Sequence, residues 1–296
     1  MPRTILLTGA TGFVGRHLTE RFVAAGHDVI AAVRRPAVLQ GPSSTRIDLD
    51  RQSVARGIAE RRVDTLVHVA GLINGPAKDV CVANQELTSD IMNAIADSQC
   101  RPDVLFLSSV SAITRFGAYG EAKYRAEEII AERAPARWIA LRSSLIHGHG
   151  DTKNVGMLIR AVRRWPAIPV VGVSTVTLQP LYVHDLADAF MALLAGSGVP
   201  STRYIVSGPR QERLIDMIRM IQSRVGRRAP LIPIPLEPVR YTVALADRLL
   251  PFLKLPVQQI QAASNHPPYQ FEAAQRDLGF NPRSFEDAIA DYLQAS

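Results

Sequence analysis

Thr4-Ile5-Leu6-Leu7-Thr8-Gly9-Ala10-Thr11-Gly12-Phe13-Val14-Gly15, running on into Arg16 to Ala25, is the stretch that decides the fold. Thr4 to Leu7 is an apolar run of strand length, Arg16 to Ala25 has helical patterning, and three glycines recur every third residue between them. Gly9 permits a tight turn, Gly12 lets backbone approach a pyrophosphate with no Cβ in the way, and Gly15 lets the helix pack closely on its strand. A helix that starts there presents free N–H groups and a partial positive charge to an anion. Gly9, Thr11, Gly12, Phe13, Val14 and Gly15 are therefore the candidate contacts for the phosphates of a dinucleotide.

Outward from this turn, short apolar runs alternate with longer amphipathic stretches, the order expected of βαβ units feeding a parallel sheet. Strands are expected over Thr4 to Leu7, Val29 to Val33, Thr45 to Ile47, Thr65 to Val69, Val104 to Leu107 and Trp138 to Leu141, with two more at Val170 to Val173 and Tyr204 to Val206. Helical spacing covers Gly15 to Ala25, Asn84 to Ser98, Tyr119 to Arg133 and Val183 to Ala195. The fold class is α/β, a doubly wound parallel sheet with a smaller C-terminal substrate lobe. Residues 1–147 and about 170–208 are assigned to the dinucleotide-binding domain, and about 148–169 and 209–296 to the lobe. The proline-dense stretch Pro230 to Pro238 is too apolar for a free linker and is expected to pack as a connector.

The 296 residues, 47% hydrophobic and 21% charged, have globular composition, and no run approaches the roughly 18 apolar residues of a membrane span. The apolar run at the N-terminus is too short for a signal peptide, so a cytoplasmic protein is expected. Cys81 and Cys100 are too few for a disulfide framework and form no zinc pattern with the seven histidines; both are expected to be buried, and no metal site is expected. A net charge of +7 raises the question of nucleic acid, but the arginines are scattered and no aromatic-interleaved basic motif appears. The expected partner is a small-molecule substrate and not nucleic acid. A membrane surface, met by Tyr241 to Leu255 with Arg240, Arg248 and Lys254, is a less favoured alternative. Oligomeric state is left open.

At the end of the second strand, an acidic residue would hydrogen-bond the adenosine ribose of NAD; Arg34 and Arg35 stand there instead and favour NADP(H) over NAD. Asp48 and Leu49 follow the third strand and are candidates for the adenine edge, while Ala70 and Gly71 close the fourth with small residues where a flat cofactor needs room. Tyr119 and Lys123, four residues apart, share one helix face. An adjacent ammonium is expected to lower the pKa of Tyr119, letting it exchange a proton with a substrate oxygen while hydride moves to or from nicotinamide. Ser108, Ser109 and Ser111 could each supply the hydroxyl that holds that oxygen, with Ser109 favoured; Ser108, Tyr119 and Lys123 are also expected to touch the cofactor.

These residues together resemble the extended and atypical short-chain dehydrogenase/reductase superfamily, also called NAD-dependent epimerase/dehydratases, a Rossmann-type family. Asn84, Leu141-Arg142-Ser143-Ser144-Leu145-Ile146-His147-Gly148, Tyr182-Val183-His184-Asp185-Leu186-Ala187 and Leu278-Gly279-Phe280-Asn281-Pro282 extend the likeness over nearly the whole chain. The resemblance implies a catalytic set of serine, tyrosine and lysine, here Ser109, Tyr119 and Lys123, and a later substrate lobe. Leu178, Gln179 and Pro180 stand where nucleotide-sugar epimerases carry an arginine for the diphosphate, His147 stands where tyrosine is common, and the loop from Ser109 to Tyr119 is short. The residues are also similar to an atypical branch that includes an accessory subunit of respiratory complex I. The reading is an NADP(H)-dependent oxidoreductase acting on a carbonyl or hydroxyl. A cofactor-binding assembly protein and a sugar-nucleotide epimerase or dehydratase are the alternatives.

Overall fold

The computed structural model describes residues 1–34, 45–171, 176–234 and 267–294. In chain order the strands are β1 Thr4–Thr8, β2 Asp28–Val33, β3 Thr45–Asp48, β4 Thr65–His68, β5 Asp103–Ser109, β6 Trp138–Ser143, β7 Leu145–His147, β8 Ile168–Val171, β9 Thr177–Leu178, β10 Pro180–Tyr182, β11 Thr202–Val206, β12 Glu212–Arg213 and β13 Leu231–Ile234. The helices are α1 Phe13–Ala24, α2 Arg51–Arg61, α3 Ala77–Cys81, α4 Leu87–Ser98, α5 Ser111–Thr114, α6 Gly117–Arg133, α7 Val155–Arg164, α8 Val183–Leu194, α9 Leu214–Val225, α10 Glu272–Leu278 and α11 Phe285–Gln294, with a π-helical turn at Val82–Glu86.

The chain divides into two compact units. The first holds Met1–Ser144, Val183–Val206 and Phe271–Asn281, built on a seven-stranded sheet of order β11-β6-β5-β4-β1-β2-β3 in which every neighbouring pair is parallel. Parallel strands covered on both faces read as continuous apolar runs rather than alternating ones, and Val29 to Val33 of β2 and Val104 to Phe106 of β5 are buried throughout. On one side α2, α4 and α6 bring Ile58, Ile91, Ile95 and Ile130 against Leu6, Leu66 and Phe106. α1 buries Gly15, Leu18 and Phe22, a stripe at helical spacing. The strand order reverses between β1 and β4, so the crevice for a ligand lies at the carboxyl ends of those strands.

The second unit holds Leu145–Tyr182, Ser207–Gln270 and Pro282–Ser296. Its strands form three two-stranded pairs, β7 with β10, β8 with β13 and β9 with β12. Val155, Ile159, Met217, Ile221, Phe285 and Ile289 from α7, α9 and α11 make its core with Ile168 and Val170. The division departs from the sequence reading at Leu145–His147, at 170–182, at 207–208 and at Phe271–Asn281. Residues 170–182 belong with the second unit because β8 and β10 pair within it, and Phe271–Asn281 belongs with the first, where Asp277 accepts a hydrogen bond from the Tyr204 hydroxyl at 2.9 Å. Leu231–Ile234 of the proline-dense stretch is a strand rather than a connector. The rest of that stretch, the Tyr241 to Leu255 segment, Arg35, and Gly172 and Val173 of the expected seventh strand lie outside the described residues. Cys81 and Cys100 are half-buried free thiols, not core side chains. Among the described residues no helix is long and apolar enough to cross a membrane.

Candidate active site

The turn after β1 has the geometry its glycines allow. Gly9 has φ +76°, and a Cβ there would lie 2.7 Å from the Ala70 backbone nitrogen. A Cβ on Gly15 would overlap the Gly9 carbonyl oxygen, so the start of α1 rests directly on the turn. Gly12, which donates its own N–H to Gly9 O at 2.9 Å, is the N-cap of α1 and has no side chain to cap it; the first turn of α1 carries no acidic residue. At α2, by contrast, Asp50 accepts from the Ser53 N–H at 2.9 Å. The leading N–H groups of α1, at Phe13 and Val14 beside exposed Thr11, thus have no side-chain cap and could hold an anion such as a dinucleotide pyrophosphate.

A buried chain of hydrogen bonds braces this turn against β4. Thr8 Oγ1 accepts from the Val69 and Ala70 N–H groups, each at 3.2 Å, so its own proton points to His68 Nδ1 at 2.7 Å. His68 Nε2 then carries the ring proton and donates to Thr88 Oγ1 at 3.0 Å, and Thr88 donates to the Asn84 carbonyl at 2.5 Å. Burial, with the Lys123 charge adding to it, pushes the His68 pKa down to about 3 and keeps the ring neutral. The π-helical turn turns Asn84 inward: its Nδ2 donates to Leu72 and Val80 carbonyls, and its Oδ1 is buried without a partner among the described residues. A Cβ on Gly71 would lie 2.5 Å from that Oδ1 and 3.4 Å from Lys123 Nζ, so protein atoms already require a small residue at Gly71.

At the carboxyl end of β5, α6 delivers Tyr119 and Lys123 one turn apart. Ser109 stands near enough to the Tyr119 hydroxyl to act on its ionisation. Lys123 is buried, donates to the Leu107 carbonyl at 2.9 Å and stands 4.6 Å over the Phe106 ring. The expected lowering of the tyrosine pKa is not what the site produces. Burial raises Tyr119 to about 12 against the opposing effect of nearby Ser109, and burial lowers Lys123 to about 7 although the Glu127 charge favours its ammonium form. In the protein alone Tyr119 therefore holds its proton at neutral pH.

The three serines have different surroundings. Ser108 donates to the buried Glu127 carboxylate, so its hydroxyl is committed inward rather than to a cofactor or substrate. Ser109 faces Tyr119 and accepts the Ser111 N–H at 3.2 Å; the Ser111 carbonyl accepts from the Thr114 hydroxyl at 3.4 Å. Arg34 is exposed just past the end of β2, and exposed Asp48 at the end of β3 is in register with Val33, whose carbonyl accepts the N–H of half-buried Leu49 at 2.9 Å. These positions place a cation and a carboxylate on neighbouring strand ends.

Within the second unit, the Gln179 Nε2 donates to Ser207 Oγ at 3.0 Å, Gly208 O at 2.8 Å and Tyr269 O at 3.1 Å, and its Oε1 accepts from Tyr269 N–H at 2.8 Å. Its amide is a buried clamp on 207–208 and 269, and Leu178 and Pro180 beside it carry no charge. His147 is buried between the Tyr182 and Phe285 rings, its pKa pushed by burial to about 3. Among the described residues no group of three or more histidine, cysteine or acidic side chains is placed to hold a metal ion. An open depression of about 780 Å³ lies at the opposite, amino ends of β1, β4 and β5. Its polar groups are tied to one another, Arg3 N–H to His27 Nδ1 at 3.0 Å and Arg3 to Asp103 at 3.4 Å, and it holds no reacting group. Sequence reasoning missed His68, Thr88, Glu127 and Arg203, each tied to a partner at least 15 residues away in the chain, so no local spacing marks them.

The model of the NAD dependent epimerase/dehydratase family matches residues 5–207. The chain is 28% identical to the 2-alkyl-3-oxoalkanoate reductase of Stenotrophomonas maltophilia over 96% of this chain and 97% of that one. It is 25% identical to a dTDP-4-dehydro-6-deoxy-D-allose reductase of a Streptomyces species, with 83% of this chain and 88% of that one covered. The crystal structure of UDP-glucose 4-epimerase from Thermotoga maritima superimposes with a TM-score of 0.79 at 16% identity, covering 98% of this chain and 97% of that one.

Proposed function

The chain belongs to the NAD-dependent epimerase/dehydratase family and is an enzyme of nicotinamide-dinucleotide chemistry, and we propose that within the family it is an NADP(H)-dependent oxidoreductase acting on a carbonyl or hydroxyl through Ser109, Tyr119 and Lys123. The observation that carries this reading is the gathering of Tyr119 and Ser109 at the end of β5, close enough for Ser109 to act on the tyrosine's ionisation, with buried Lys123 one helical turn away. A bound nicotinamide would supply or accept the hydride at the substrate carbon. In the reducing direction Tyr119, protonated at neutral pH, passes its proton to the substrate oxygen while Ser109 orients that oxygen. Lys123 in its ammonium form stabilises the phenolate left on Tyr119. Arg34, standing where an acid would bind the ribose of NAD, supports the 2′-phosphate of NADP(H).

The absence of a cation at Leu178-Gln179-Pro180, and the commitment of Gln179 to its own backbone partners, argue against a nucleotide-sugar diphosphate at that position. The likeness along its full length to a 2-alkyl-3-oxoalkanoate reductase directs the first screen to 3-oxoacyl compounds. The test is a titration of cofactor-free protein with NADPH and NADH, repeated with Arg34→Ala, followed by NADPH oxidation with a panel of ketones. NADPH binding at least about tenfold tighter than NADH, largely lost in the variant, is expected from one charge-assisted phosphate contact. Equal affinities in the native protein would remove the NADP(H) assignment, and no oxidation with any ketone would remove the reductase assignment.

A further inference from the structure

Tyr119, Lys123 and Glu127 follow one another at four-residue intervals along α6, so their side chains form one stripe. The third has no accessible surface at all. A carboxylate buried this deeply is costly unless its lone pairs are filled, and here four donors fill them. Ser108 donates from β5. Arg142 donates from β6 through Nε at 2.9 and 3.2 Å and Nη2 at 2.6 Å, and Arg203 donates from β11 through Nε at 3.0 Å. Arg203 also reaches Glu128 at 2.6 Å.

We infer that Glu127 is a positioning residue of the proposed site, biasing Lys123 toward its ammonium form from one turn away and tying Ser108 inward so that Ser109 is the hydroxyl presented to Tyr119. The inference rests on the proposed role of Lys123 as the charged partner of Tyr119. Lys123 sits in surroundings that favour its neutral form: the Phe106 ring, the neutral His68 of β4, and a single described hydrogen bond to the Leu107 carbonyl. The charged groups around it are few. Glu127 is the charge that favours the Lys123 ammonium form, Arg142 and Arg203 bind Glu127 from the sheet, Glu128 shares Arg203, Glu121 on the same helix pairs with Arg125, and Tyr119 is protonated. Glu127 therefore supplies the field that offsets burial of the ammonium, and removing its charge would leave two guanidinium groups acting against Lys123. A carboxylate that only stitched α6 to the sheet would leave the ionisation of Lys123 where burial alone put it.

The test measures Lys123 ionisation directly, by competitive trace acetylation with acetic anhydride at a series of pH values and mass spectrometry of the peptide. Lys78, Lys153 and Lys254 serve as internal references. In Glu127→Gln the midpoint for Lys123 is expected to move to lower pH by about one unit or more, the usual effect of losing a close opposite charge. In Arg203→Gln, which removes a cation and leaves the carboxylate, it is expected to move to higher pH. Opposite shifts support the inference; no shift, or two shifts of the same sign, overturns it. Should Glu127→Gln fail to fold, Arg203→Gln decides alone, because an unmoved or acid-shifted midpoint there contradicts the inference. The readout needs no turnover, so a Tyr119→Phe enzyme that still reduces ketones would sink the proposed mechanism while leaving the Glu127 result standing.

Discussion

The carboxyl ends of β1 and β5 belong to the same sheet and are finished in opposite ways. After β1 the chain withholds partners: glycines at 9, 12 and 15, an N-cap with no side chain and no acid in the first turn of α1 leave backbone N–H groups open. After β5 it supplies them: Ser108 to Glu127, Lys123 to the Leu107 carbonyl, and Glu127 to two arginines. An anion site must keep its donors unspent until the ligand arrives. A proton-transfer site must hold its groups in fixed geometry before it arrives.

The sharpest way to break this contrast is to cap the open end. Gly12 has extended backbone (φ −77°), and its Cβ would meet only the Gly9 carbonyl, at 3.2 Å, so an aspartate fits with a small adjustment. Gly12→Asp is expected to leave the melting temperature unchanged or raised while weakening dinucleotide binding about a hundredfold or more, because the new carboxylate takes the N–H groups and repels the phosphates. Retained affinity in a calorimetric titration would show that the turn is not the phosphate site.

A smaller effect is expected at the brace beneath the turn. Thr8→Val keeps shape but strips a partner from the Val69 and Ala70 N–H groups and from His68 Nδ1. The cost is about 1–3 kcal/mol for buried polar groups left unsatisfied, read from urea denaturation. A loss below about 0.5 kcal/mol would mean that the brace contributes little.

The smallest change, taken per unit of pH, is a slope in stability. His68 and His147 titrate near 3 when folded against an ordinary 6.5, so below 6.5 the unfolded chain binds protons that the folded chain refuses. Stability is therefore intact above pH 6.5 and falls as pH drops toward 3, approaching about 1.4 kcal/mol per unit for each histidine. His68→Gln is expected to flatten this acid slope, and an unchanged slope would show that His68 is not held neutral.

The same contrast explains what was legible beforehand. Gly12 and Gly15 both abut Gly9, so glycine spacing between a strand and a helix disclosed the turn, though not its brace at His68, Val69 and Ala70. Tyr119 and Lys123 were legible because helical spacing is local. Ser109 could be favoured over Ser108 but not separated from it, since Ser108 is withdrawn by a glutamate 19 residues later that is itself anchored by Arg142 and Arg203. The pKa directions at Tyr119 and Lys123 depend on burial by distant strands, and the spacing alone suggested the opposite sign for the tyrosine. The units were misdrawn at 145–147, 170–182, 207–208 and 271–281 because contacts such as β8 with β13 and Tyr204 with Asp277 join segments sixty or more residues apart, about which local spacing says nothing.

The measurement that bears most directly on the central claim is a parallel determination, for the native enzyme and Tyr119→Phe, of NADPH affinity and of ketone-dependent NADPH oxidation. The account predicts affinity within about twofold of native and turnover reduced by about a hundredfold or more, the usual contribution of a positioned proton donor. Native-like turnover in Tyr119→Phe would contradict it.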